Sequence, residues 1–133
     1  MGLRWYSTVI DSNDVATLSR WWAETLDYQI VYEAPDEVVI VPRYVDEALI
    51  RETPWDRVGP GLVFVQVDDA KRAKNRIHVD LAPHTSDDRD AIIEALLERG
   101  ARRADVGQSD DSSWIVLADP EGNEFCVLSA RDV

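Results

Sequence analysis

The chain has one cysteine, Cys126, one methionine, and no long uncharged apolar run. A lone thiol cannot close an internal disulfide, and Met1-Gly2-Leu3-Arg4-Trp5 leads into an alternation too short for a secretory signal, so the expected compartment is the reducing cytoplasm. Stretches such as Gly61-Leu62-Val63-Phe64-Val65 fall far short of the about 20 residues that span a bilayer. Basic residues are also few: 14 Lys and Arg stand against 26 Asp and Glu, a net charge of −12 at pH 7. That sign repels phosphate backbones and anionic lipid, which excludes nucleic-acid and membrane partners. The acidic residues are spread over turns and helix faces, where they act as a solubilising surface. The chain also lacks a phosphate-binding loop, a dinucleotide glycine fingerprint, a Gly-x-Ser-x-Gly elbow and a Cys-x-x-Cys pair.

What remains is 133 residues, 45% hydrophobic and 30% charged. This is one globular domain, large enough to hold a core without metal or disulfide staples. Trp5–Ile10 is β-prone, and Ser12-Asn13-Asp14 then caps a helix over 14–26 with Val15, Leu18, Trp22 and Leu26 on one stripe and Trp21 beside it. Tyr28–Tyr32 and Val38–Val41 form a hairpin about Pro35-Asp36. The segment 43–60 reads as an irregular connection with a short strand at Ala48–Arg51, and Leu62–Val67 is a further strand.

The order then repeats. Arg76–Leu81 alternates as a strand, Thr85-Ser86 cap a helix over 87–98, and Gly100 stops it. Ala101–Val106, Ser113–Leu117 and Asn123–Leu128 follow as strands, the last entered by the turn Asp119-Pro120-Glu121-Gly122. Ser7 to Tyr28 spans 21 positions and His78 to Ala101 spans 23. Module one covers about 4–67, a charged linker 68–74, and module two about 75–129.

Alternation places Ile77, Val79 and Leu81 on the core side and leaves Arg76, His78 and Asp80 on the other. In the last strand Phe125 and Val127 face the core, while Glu124 and Cys126 face away; in the first, Trp5 and Ser7 oppose Tyr6 and Thr8.

The pattern Asn75-Arg76-Ile77-His78-Val79-Asp80-Leu81, the closing Asp119-Pro120-Glu121-Gly122-Asn123-Glu124-Phe125-Cys126-Val127-Leu128, and Asp14–Trp22 after the first strand resemble glyoxalase-like members of the vicinal oxygen chelate superfamily. The resemblance runs from about Arg4 to Leu128. It implies an α+β fold in which two βαβββ modules form curved, mostly antiparallel sheets around a cavity. It also implies a divalent metal, with ligands on the first and last strands of each module. By motif position these are Ser7, His78, Cys126, where Glu is usual, and on 62–67 the one good donor, Gln66. That ligand set is incomplete for a hard metal. Asp27 stands where relatives often end the helix with Gly.

His78 is the candidate catalytic residue, because imidazole transfers protons near neutrality. Trp5, Ser7, Gln66, Arg76, Asp80, Trp114, Glu124 and Cys126 are candidate ligand-binding residues, and His78, Gln66 and Glu124 the candidate metal ligands. Each also has a plain structural reading: His78 held by Asp80, Cys126 as a small buried hydrophobe, Trp21 and Trp22 as helix packing, His84 in a surface loop. Trp5, Trp55 and Trp114 suit stacking on an aromatic ligand. Three functions stay open: a metal-free binder of a small organic molecule, a metal-dependent lyase, isomerase or dioxygenase using His78, and a non-catalytic interaction module. A homodimer is expected from the resemblance and from sheet edges that a second chain would cover.

Overall fold

The computed structural model describes residues 3–104 and 113–133, and the chain divides between Asp69 and Ala70 into two units, each with its own four-stranded sheet. The first unit runs β1 (Ser7–Ser12), α1 (Val15–Leu26), β2 (Tyr28–Ala34), β3 (Glu37–Pro42), α2 (Glu47–Glu52) and β4 (Gly61–Gln66). Its sheet has the order β1-β4-β3-β2, with β1 parallel to β4 and the other pairs antiparallel.

Asp14 starts α1 by accepting from the Thr17 N–H at 3.2 Å, which satisfies one of the orphan donors at the helix N-terminus. The helix buries Val15, Leu18, Trp21 and Trp22, and packs on β2, β3 and β4, where Val38, Ile40 and Phe64 are fully buried. Burying side chains of that size stabilises the unit by about 1.5–3 kcal/mol each. Register assigns the two faces of the sheet. Thr8, Ile10 and Ser12 align with Leu62, Phe64 and Gln66 on the helix side; Ser7, Val9 and Asp11 align with Gly61, Val63 and Val65 on the open side.

The second unit runs β5 (Val79–Leu81), α3 (Arg89–Glu98), β6 (Arg102–Arg103), β7 (Ile115–Ala118) and β8 (Glu124–Val127), in the order β5-β8-β7-β6. β5 therefore holds the place in its sheet that β1 holds in the first, again parallel to the last strand of its unit. The duplicated pattern is thus real, an α+β pair of mixed sheets. Glu94 of α3 pairs with Arg103 at 3.7 Å, and Arg103 shares its face with Leu117 and Phe125, so α3 covers that face with its buried Ile93 and Leu96. The turn before β8 is organised by fully buried Asp119, whose Oδ1 accepts from the N–H groups of Glu121 and Asn123 at 2.9 Å, while Gly122 supplies a φ of 90°.

Several expectations give way. Ala48–Arg51 is helical rather than extended, because Asp46 caps the Leu49 N–H at 2.8 Å and Arg51 pairs with Glu47 one turn earlier. The strand expected over 76–81 is only Val79–Leu81; Ile77 is 80% exposed instead of packing under a helix, and Arg76 lies in a bend. The second helix begins at Arg89 on an Asp88 cap, since Ser86 spends its hydroxyl and N–H on His84. Asp105 and Val106 of the strand expected at 101–106 lie outside the described residues.

Candidate functional site

The β5–β8 register sets Asp80 beside Cys126, on the side of the second sheet away from α3. Cys126 is buried, and that burial, reinforced by the charge and hydrogen bond of Asp80, pushes its thiol above the ordinary range against a smaller opposing pull from Lys74. A thiol so placed stays protonated at neutral pH and is a poor nucleophile. His78 stands just before β5 with its Nε2 3.2 Å from Lys74 Nζ. An ammonium can only donate, so in this pairing the ring nitrogen accepts and the imidazole carries its proton on Nδ1. His78, Asp80 and Cys126 thus come together, with Lys74 added to them.

Glu124 is committed elsewhere. Its Oε1 accepts from Lys71 Nζ at 3.0 Å and its Oε2 from the Asn75 N–H at 3.1 Å, while its backbone carbonyl accepts from Asn75 Nδ2 at 3.4 Å. Burial works to raise its pKa, but the donors from Lys71 and Asn75 outweigh it and hold the carboxyl below the usual carboxylate range. The stretch read as a linker is therefore tied to β8, and this tether carries Lys74 to the cluster. The sequence marked Lys71 and Lys74 only as part of a charged linker and Asn75 only as the start of the Asn75–Leu81 pattern; the signal available was the spacing of Lys74 four residues before His78.

In the first unit Ser7 lies on the open face, and its carbonyl accepts from the indole N–H of Trp5 at 3.1 Å. Gln66 lies on the opposite, helix-facing side. Its Nε2 donates to the Asn13 carbonyl at 2.6 Å and its Oε1 accepts from the Val15 N–H at 3.3 Å, so it ties β4 to the start of α1. Arg76 and Trp114 are exposed, in bends beside β5 and β7, and among the described residues neither hydrogen-bonds to the His78 cluster.

These positions test the implied metal. Ser7 pairs with Gly61 and Gln66 with Ser12, so five residues, about 17 Å of strand, separate the two donors in addition to the sheet between them. Both Glu124 oxygens are engaged and the Cys126 thiol is held protonated. Among the described residues no three His, Cys, Asp or Glu side chains gather around one point. The donors present do not fit a hard divalent ion.

Residues 7–128 match the family described as a glyoxalase-like domain. No curated protein matches the chain. Among solved structures, a glyoxalase/bleomycin resistance protein/dioxygenase family enzyme from Burkholderia phytofirmans PsJN is 13% identical with a TM-score of 0.67, over 96% of this chain and 99% of that one. A fosfomycin resistance protein from Mesorhizobium loti is 12% identical with a TM-score of 0.62, over 92% and 87%. A glyoxalase-related enzyme from Fulvimarina pelagi is 12% identical with a TM-score of 0.61, over 93% and 86%. At such identities the likeness is one of fold. With the family match spanning nearly the whole sequence and the two repeated sheets arranged alike, the chain belongs to the glyoxalase-like domain family.

Proposed function

We propose that the protein binds a small organic molecule at the exposed β5 edge of the second unit, through Lys74, His78 and Asp80, without a resident metal. The observation that carries this reading is the Lys74–His78 contact at 3.2 Å beside the Asp80–Cys126 pair. Lys74 and the Nδ1–H of His78 offer donors, and Asp80 an acceptor, about 6–7 Å further along the chain. A ligand with a carbonyl or carboxylate oxygen at one end and a hydroxyl or amine at the other satisfies both poles. Resistance to fosfomycin and bleomycin, which the names of structural relatives carry, agrees with small-molecule binding on this fold. Whether bond-making follows binding depends on His78 as a proton carrier.

The test is a thermal-shift screen of small hydroxy- and amino-carboxylic compounds, followed by calorimetry on any hit. His78→Ala and Lys74→Ala each lower affinity at least tenfold, about 1.4 kcal/mol, with urea unfolding unchanged because both side chains are exposed. Unchanged affinity in His78→Ala removes that residue from the site. Elemental analysis of protein purified without chelator shows no stoichiometric metal; zinc, nickel, manganese or iron lost on His78→Ala would restore the metal-dependent alternative. The proposal extends to a cytoplasmic homodimer, supported by the single buried thiol and by exposed aromatic surface.

A further inference from the structure

Arg4 lies in the first unit, apart from the cluster just described. Its Cζ is 4.7 Å from the ring centroid of Tyr6 and 4.4 Å from that of Trp55. Tyr6 is 68% exposed and Trp55 56% exposed, in the single 3₁₀ turn Trp55–Arg57. Two rings at that range attract the guanidinium through their π faces and restrict its orientation.

Its donors are not consumed. Nε is buried with no hydrogen-bond partner, and among the described residues no carboxylate pairs with the guanidinium. Arg20, Arg43, Arg51 and Arg103 each have a carboxylate partner, whereas Arg4 has two aromatic rings in that place. Arg4 is oriented by aromatics and left without a counter-ion, as a planar fork suited to bidentate oxyanion contact.

We propose that Arg4, held by Tyr6 and Trp55, is a recognition site for a carboxylate carried on a planar group. A single cation on a chain of charge −12 favours a monoanion over a phosphate dianion, which the surrounding field repels more strongly. The exposed faces of Tyr6 and Trp55 give the planar group a surface to lie on. A free aromatic acid presents both the carboxylate and the plane; an acidic side chain of a second copy of this chain presents the carboxylate alone.

Calorimetric titration of the full chain with benzoate tests the site, with neutral benzamide as control. Benzoate binds saturably and benzamide at least tenfold more weakly. Arg4→Ala abolishes saturation. Arg4→Lys, which keeps the charge but loses the plane and fork, weakens binding at least fivefold and decides the matter should Arg4→Ala melt early. A dimer that sediments apart in Arg4→Lys, or on adding benzoate, identifies the second copy as the source and equally supports the site. Benzoate affinity and sedimentation both unchanged in Arg4→Lys overturn the proposal, as does benzoate binding lost in His78→Ala but retained in Arg4→Lys.

Discussion

Asp27 closes α1 with φ 54° and ψ 45°, the left-handed region that glycine adopts without steric cost. Its carboxylate accepts from Arg43 at 2.7 Å, but the side chains are 83% and 64% exposed, so the pair offsets little of the strain. Asp27→Gly is therefore expected to stabilise the protein by about 0.5–1 kcal/mol, seen as a higher urea midpoint with an unchanged slope. A lower midpoint would show that the Arg43 contact outweighs the backbone term. The position was legible in the sequence as a departure from a helix-ending glycine. Gln66 was not: its residue type suggests a metal donor, and only the register shows it under α1, bonded to backbone. His78 was legible as an imidazole on the side away from the core, but the partner expected was Asp80 and the partner found is Lys74. Asp80 instead faces Cys126, across a strand pairing that sequence spacing cannot register.

At the scale of elements, the amphipathic stripe of α1 and the buried turn at Asp119 were plain in the residue pattern, because local spacing and capping determine both. The N-terminal half of the 76–81 strand was not. Alternation there is genuine, but Glu124 draws Lys71 and Asn75 toward β8 and the chain before Val79 bends instead of pairing. The side chains of Glu124 and Lys71 are only 12% and 22% exposed, so replacing the carboxylate is felt. Glu124→Gln is expected to cost about 1–2 kcal/mol near pH 7. The folded carboxyl is held below the ordinary carboxylate value of about 4.3, so its contribution is present above that pH and is lost as pH falls through the depressed folded value. The gap between wild type and Glu124→Gln in urea unfolding should therefore close on the acid side. A gap that stays constant to the lowest pH at which the protein folds would deny the carboxylate this role. Because the same tether carries Lys74, Glu124→Gln also weakens the ligand proposed for the His78 cluster.

For the whole molecule, the duplicated fold was legible because two independent helix-and-strand patterns at nearly equal spacing are a stronger signal than either alone. Assembly was not, since it depends on which apolar groups the fold leaves outside. Trp5, Tyr6, Tyr32, Tyr44 and Trp55, all in the first unit, each keep more than half of their surface in water. The edge strand β2 is broken by a register shift between Ile30 and Tyr32, a feature that discourages strand-to-strand addition. Association is therefore expected through aromatic faces rather than by adding a strand to β2. Two copies at −12 each repel, and the range of that repulsion shrinks from about 30 Å at 0.01 M salt to about 10 Å at 0.1 M. The proposed homodimer should accordingly strengthen with salt, opposite to an assembly held by ion pairs. Sedimentation equilibrium at micromolar protein should give the mass of two chains at about 0.15 M sodium chloride and a shift toward one chain at about 0.01 M. Trp55→Ser, which removes exposed apolar area, should move the equilibrium toward one chain at both. A single-chain mass throughout would remove the homodimer, while a dimer that weakens as salt rises would place charge pairs, not aromatics, at its interface.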